Sequence, residues 1–221
     1  MNRLRLAPSI LTADFARLGE EIASVAPHVD WFHLDVMDGH YVPNLTFGPS
    51  TVEAVRRSSD LPLHVHLMID RPAEFVEMFA TAGADRISFH PEVTNDVRGE
   101  IEGIVASGAG AGLAVHPDVG LDAVEPYLDD IEVLLMMTVR PGFGGQDFLP
   151  EVLPKIAAAA RMVEGRGTDV EVDGGVKLER LEDVVAAGAG ILVAGSAIFD
   201  GADAAASARR MRVRLDELAG A

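Results

Sequence analysis

Short apolar runs alternate along the chain with longer segments in which apolar residues recur every three or four positions. The first run, Leu4 to Leu11, predicts a strand, and Asp14 is placed to cap a helical pattern reaching about Val25. Trp31 to Val36, Leu63 to Ile69, Arg86 to Phe89, Gly112 to Val115, Val133 to Val139, Val170 to Asp173 and Ile191 to Ala194 read as further strands. Helical patterns lie between them, near Ser50 to Arg57, Ala73 to Thr81, Asp96 to Ser107, Leu121 to Tyr127, Pro150 to Glu164 and Leu178 to Ala187. A last helix runs from Ala204 to Leu218. Pro72 suits the first turn of its helix, and Gly83 and Gly188 stop theirs. Repeated strand-then-helix units mean a parallel sheet covered by helices. Eight of them in 221 residues predict a single-domain (β/α)8 TIM barrel over residues 1–221, near the low end of that fold's size range, with a doubly wound open sheet as the other topology.

A barrel of this kind collects its chemistry at the C-terminal ends of the strands. Phe32-His33-Leu34-Asp35-Val36-Met37-Asp38-Gly39 reads as a buried strand entering a turn, with His33, Asp35 and Met37 on one face. An imidazole and a carboxylate two residues apart can grip one divalent cation, or simply satisfy each other. The next strand presents His66 and Met68 near the same rim, and the seventh ends on Asp173. Convergence of His33, Asp35, His66 and Asp173 on one mouth favours the metal, with zinc first and Fe2+, Mn2+ or Co2+ also suited. His64 shares a face with His66 and competes as a ligand, but His66 lies closer to the rim. His90, ending the fourth strand, is either a partner behind a ligand or a polar cap.

Glycines let backbone amides approach an anion closely. Gly142, Gly144 and Gly145 follow the sixth strand, Gly174 and Gly175 the seventh, and Gly195 and Ser196 the eighth, where Ser196 is expected at the start of a short helix. Glycine is common in tight turns, yet three such turns on the final strands match the usual barrel phosphate site. Met37, Met68 and Met137 fall near strand ends, as adaptable packing or as a polarizable cap over a reacting carbon. Gly39 to Phe47 and Gly142 to Phe148 are glycine-bearing loops at the mouth, expected to close over a substrate or to stay as static rims.

Composition narrows the chemistry. The chain has no cysteine, which removes thiolate catalysis and Cys-based zinc sites. Its lysines are Lys155, in a helix, and Lys177, past the seventh strand, so a Schiff-base aldolase lacks its nucleophile. A net charge of −17 offers no footprint for nucleic acid. Arg209, Arg210, Arg212 and Arg214 alternate with apolar residues as a solvated helix face or a subunit contact, and a homo-oligomer is expected. No apolar run is long enough to cross a membrane and no secretory signal is visible, so a soluble cytoplasmic protein is expected.

Ala7-Pro8-Ser9-Ile10-Leu11, His33 through Gly39, His66-Leu67-Met68, Pro141 through Gln146, Val172 through Val176 and Val193 through Phe199 together resemble the ribulose-phosphate 3-epimerase family. The resemblance spans nearly the whole chain. It implies a (β/α)8 barrel with one divalent metal ion on His33, Asp35, His66 and Asp173. It also implies acid/base roles for Asp35 and Asp173, a substrate contact at Ser9 and His66, and a methionine cap of Met37, Met68 and Met137. The implied reaction inverts C3 of a ketose phosphate, D-ribulose 5-phosphate to D-xylulose 5-phosphate. The chain departs from the family pattern at His64, where Asp is usual, at His116-Pro117, where Asn-Pro is usual, and at Gly190, where an acid is usual. These departures keep a second substrate, D-allulose 6-phosphate, in view. A barrel that only binds phosphate and metal is the non-catalytic alternative.

Overall fold

A computed structural model describes residues 3–220. Eight parallel strands form one sheet: β1 (Arg5–Pro8), β2 (Phe32–Met37), β3 (Leu63–Met68), β4 (Arg86–Phe89), β5 (Gly110–Val115), β6 (Val133–Met137), β7 (Asp169–Asp173) and β8 (Ile191–Ala194). Their order is β1-β8-β7-β6-β5-β4-β3-β2. The ends of that order meet, because Ser9 and His33 form a parallel bridge between β1 and β2. The sheet is therefore a barrel, with a seam held by a bridge where its other neighbours share a ladder. Lower on the seam, Asp30 accepts from Leu6 N–H through Oδ2 and donates its own N–H to Leu6 O, both at 2.9 Å.

Seven α-helices cover the strands among the described residues: α1 (Leu18–Val25), α2 (Pro49–Ser58), α3 (Val76–Thr81), α4 (Val97–Ala106), α5 (Leu153–Met162), α6 (Leu181–Ala186) and α7 (Ala204–Ala219). Local chemistry starts several of them. Asp96 accepts from Gly99 N–H at 3.0 Å to cap α4, Asp203 accepts from Ala206 N–H at 2.9 Å to cap α7, and Pro49 opens α2 where no helical N–H partner is needed. Apolar side chains pack in two shells. The larger lies between strands and helices, with Phe32, Leu34, Leu67, Phe79, Phe89 and Ile104 among its members. The smaller, including Ala7, Trp31, Leu135, Met137 and Val193, fills the barrel interior.

Three local expectations change. β1 stops at Pro8 instead of Leu11, because Ser9 turns its hydroxyl back to accept from Leu11 N–H at 3.3 Å and opens a 3-10 turn over Ile10–Thr12. The helix expected over Leu121 to Tyr127 is a pair of 3-10 turns, Leu121–Ala123 and Glu125–Tyr127. Pro126 has no N–H to return to Asp122, so a continuous α-helix cannot run through it. Arg212 leaves the expected solvated face: it is buried, donating to Leu4 O at 2.9 Å and Asp30 Oδ2 at 3.1 Å, and it ties α7 to the base of the seam. No described helix is long and apolar enough to cross a membrane.

Candidate active site and metal centre

Strand register sets the site. β2 and β3 pair with His33 beside His64, Asp35 beside His66 and Met37 beside Met68, which stacks three tiers on the inner face. β7 brings Glu171 and Asp173 to two of those tiers from across the barrel, with Asp173 beside Met137 of β6. One ligand atom from each of His33, Asp35, His66 and Asp173 lies within 4.8 Å of every other. The site residues expected from the strands therefore meet.

Asp35 is the hub. Its Oδ2 accepts from the Ser9 hydroxyl at 2.5 Å, and its Oδ1 lies 3.2 Å from His66 Nδ1 and 3.3 Å from His33 Nε2. The other nitrogen of His33, Nδ1, is 2.9 Å from Glu171 Oε1. Glu171 was not expected from sequence, although it sits two residues before Asp173 on the same face. His64 lies one tier down, its Nδ1 2.9 Å from Glu171 Oε2 and its Nε2 2.7 Å from the Ser88 hydroxyl, and with His33 and Glu171 it forms a second group of ligand atoms within 4.8 Å of one another. His90, left open by the sequence, reaches His66 with an Nε2 to Nε2 distance of 2.9 Å. It stands behind that side chain.

Electrostatics separate the two acids. Burial raises the Asp35 carboxyl, but the charge of the adjacent His33, with His66 behind it, outweighs burial and holds the group well below the usual carboxylate range. Burial, then the charge of Asp35, pushes the half-buried Asp173 carboxyl up to about 8. Burial works against a charge on His33, yet Asp35 and Glu171 on either side raise it well above its ordinary value. Burial lowers His66 to about 3, so that ring is neutral.

These residues fit a divalent cation. His33 Nε2 is buried without a hydrogen-bond partner while its Nδ1 is engaged by Glu171, the arrangement in which a carboxylate orients an imidazole toward a metal. Two imidazole nitrogens and two carboxylate oxygens suit zinc and its first-row neighbours. Without a metal, Asp173 and His33 hold protons that the unfolded chain releases at lower pH. A folded-state value above the unfolded one gives stability that is lost as pH rises through the folded value. Metal-free protein should therefore melt progressively lower between about pH 7 and pH 9, above the range in which His64 and His66, kept neutral by burial, add stability as pH rises, and metal-loaded protein should lose this slope because its ligands are already deprotonated. Thermal melts across that range, with and without chelator, measure it. Equal slopes in the two states would contradict the assignment.

Above the acids opens a cleft of about 540 Å³ lined by Ser9, Asp35, Asp173, Met37, Met68 and Met137, together with the three glycine turns. Gly142, Gly144, Gly145, Gly174, Gly175, Gly195 and Ser196 all face it. Two of these glycines have a second reason to be there. A Cβ on Gly175, at φ +63°, would lie 2.3 Å from Phe148 N, and one on Gly174, at φ +120°, 2.5 Å from a Val139 methyl. The loop after β6 could not lie over the loop after β7 with side chains at those positions. Ser196 begins no helix; Gly195 O accepts from Ile198 and Phe199 N–H, closing a single turn. Thr12, which the sequence did not point to, also lines the cleft, with its buried hydroxyl unpartnered beside Gly195. His33 and His66 lie fully buried beneath the floor.

A closed parallel barrel with His and Asp side chains gathered at its strand ends, beneath a cleft lined by glycine turns, has the layout of a barrel enzyme acting on a small molecule. The family model of the ribulose-phosphate 3 epimerase family matches residues 5–199. Ribulose-phosphate 3-epimerase of Bacillus subtilis is 48% identical over 204 residues, covering 90% of this chain and 94% of its own. The Escherichia coli enzyme of the same name is 45% identical over 207 residues, covering 92% of each. Among solved structures, KGPDC from Streptococcus mutans in complex with D-R5P superposes with a TM-score of 0.78 at 18% identity, covering 98% of this chain and 99% of that one. 3-Hexulose-6-phosphate synthase from Salmonella typhimurium gives 0.75 at 16% identity, covering 97% and 99%. At those identities the two structures speak for the barrel alone. The chain belongs to the ribulose-phosphate 3-epimerase family and is an isomerase.

Proposed function

We propose that the chain inverts C3 of D-ribulose 5-phosphate to give D-xylulose 5-phosphate, with Asp35 and Asp173 as the acid/base pair. The observation that carries this reading is the meeting of two carboxyls, Asp35 and Asp173, at the floor of one cleft, with a ligand atom of each within 4.8 Å of the other. Carboxyls that share a site this closely need not hold protons alike, so one serves as base while the other serves as acid.

The ionised carboxylate removes the proton from C3, which is acidic because the adjacent ketone spreads the charge into an enediolate. The protonated carboxyl returns a proton to the opposite face, and the two exchange roles in reverse. Ser9 fixes Asp35 Oδ2 and keeps the base from turning away. Glu171 and His90 fix the His33 and His66 rings from behind. Met37, Met68 and Met137 form an apolar lid on the acids that keeps water from quenching the carbanion. Backbone amides of the turns at Gly142 to Gly145, Gly174 to Gly175 and Gly195, with Ser196, hold the phosphate. A divalent ion on His33, Asp35, His66 and Asp173, zinc first among the candidates, supplies Lewis-acid stabilisation of negative charge on the substrate oxygens.

A coupled assay with D-ribulose 5-phosphate, D-allulose 6-phosphate and unphosphorylated D-ribulose tests the proposal. The pentulose phosphate should give the highest kcat/KM, and the unphosphorylated sugar should fall far below it. Higher kcat/KM on allulose 6-phosphate would replace the substrate. Equal turnover of free ribulose would remove the phosphate site.

A further inference from the structure

Behind the metal centre a file of side chains runs from the barrel interior to the rim. Asp35 Oδ1 lies 3.2 Å from His66 Nδ1, and His66 Nε2 lies 2.9 Å from His90 Nε2. The remaining nitrogen of His90, Nδ1, has no hydrogen bond inside the protein and faces Glu92 Oε1 at 3.4 Å. The Tyr41 hydroxyl donates to the same oxygen at 2.7 Å, and its ring lies against the His90 ring with centroids 4.8 Å apart. His66 and His90 are fully buried, whereas 31% of the Glu92 side chain meets solvent.

Two imidazole nitrogens facing each other at hydrogen-bond distance hold one proton between them, so the two rings cannot choose their tautomers independently. In one polarity His66 donates outward from Nε2, His90 accepts at Nε2, and the His90 Nδ1–H points at Glu92. In the other, His90 donates inward from Nε2, and His66, accepting at Nε2, carries its single proton on Nδ1, against Asp35. The first leaves His66 Nδ1 with a free lone pair at the metal centre. The second blocks it. A carboxylate at the end of the file accepts from His90 and selects the outward polarity; in the inward one it would face a bare lone pair.

We infer that Glu92, acting through His90, is a positioning residue that holds His66 in the tautomer able to ligate the metal, and that Tyr41 fixes the carboxylate in place. This rests on the metal site proposed above. His33 is oriented by Glu171 directly; His66 is oriented by Glu92 at one remove. Burial raises the Glu92 carboxyl, but the adjacent His90 and then the Tyr41 hydroxyl outweigh it and hold the group down at about 2, so it is a carboxylate throughout the physiological range. The file also joins the β2–α2 loop, which carries Tyr41, to a residue beneath the floor of the cleft.

The test compares wild-type protein with Glu92→Gln, which keeps the shape and removes the charge. Zinc affinity is read by competition with a chromogenic chelator, and the tautomers of His66 and His90 by long-range 15N–1H NMR of the zinc-loaded proteins. Partners behind a metal ligand typically contribute ~10- to 100-fold in affinity. Glu92→Gln should weaken zinc binding by about that factor, while the metal-free protein keeps the near-UV circular dichroism of the wild-type fold. Wild-type His66 should carry its proton on Nε2 and His90 on Nδ1. An unchanged zinc Kd in Glu92→Gln would overturn the inference, as would a wild-type His90 protonated on Nε2 alone. Glu92→Asp, which restores a charge, should recover part of the lost affinity; affinity no better than that of Glu92→Gln would count against an electrostatic role. Wild-type protein that takes up no zinc would instead overturn the metal site itself, so the two failures are distinguishable.

Discussion

Asp173→Asn is expected to lower turnover by ~100- to 10,000-fold, the usual worth of a general acid or base. The amide keeps the shape of the side chain but cannot take up and return a proton as a carboxyl does. Asp35→Asn should cost as much and for a related reason: an amide would need to donate to or accept from Ser9, His66 and His33 without the charge that now organises all three. Because both acids also belong to the proposed metal set, metal content must be measured in each variant before the loss is assigned to proton transfer. With a separate acid and base on opposite faces, product formed by the wild type in deuterated water should carry deuterium at C3 from its first appearance. Protium returned internally to C3 would point to one base serving both faces. An Asn variant that holds its metal and turns over near the wild-type rate would remove that residue from the mechanism.

The second large effect concerns the histidines of β3. His66→Ala should reduce metal affinity by more than the ~100-fold upper range associated with a residue merely behind a ligand, because it deletes a donor atom. His64→Ala should act on stability instead. His64 bonds Glu171 and Ser88, and its removal leaves buried polar groups short of a partner, at a cost of roughly 1–3 kcal/mol for each. Metal titration and denaturant unfolding of the two variants separate these outcomes. A His66→Ala protein with full metal occupancy, beside a His64→Ala protein without it, would exchange the two assignments.

Much of the site was legible because a strand has a period of two. Once His33, Asp35, His66 and Asp173 are assigned to strand ends, alternation places them on one face, and a barrel turns that face inward. The same rule could have found Glu171 and Ser88, which share faces with Asp173 and His90. They were passed over because a buried Glu reads as an exception until its partners are known. Glu92 and Tyr41 were beyond such reasoning. They come from loops after β4 and β2, and only the folded chain brings them together. The helix placed at Leu121 to Tyr127 had the right apolar spacing, but Pro126 outweighed it, and the sequence contained that information. Gly174 and Gly175 show a different limit: a glycine looks the same whether it makes room for an anion or for the backbone of Phe148.

The seam between β1 and β2 has a consequence for the order in which the molecule is made. β1 leaves the ribosome before the other seven strands, yet its ladder is with β8, through pairs such as Arg5 with Ile191. Until the C-terminal quarter has been synthesised, β1 has for a neighbour only β2, which it meets through the bridge at Ser9 and the bonds of Asp30. Asp173 and the turn at Gly195 arrive late as well. Domains begin to fold from the N-terminus during synthesis, but contacts between distant parts of the chain must wait for their partners. The nascent chain can thus assemble the histidines of β2 and β3 early without completing the group of carboxyls, the cleft of glycine turns or the closed barrel. All three come together only once β8 has emerged and closes the ring.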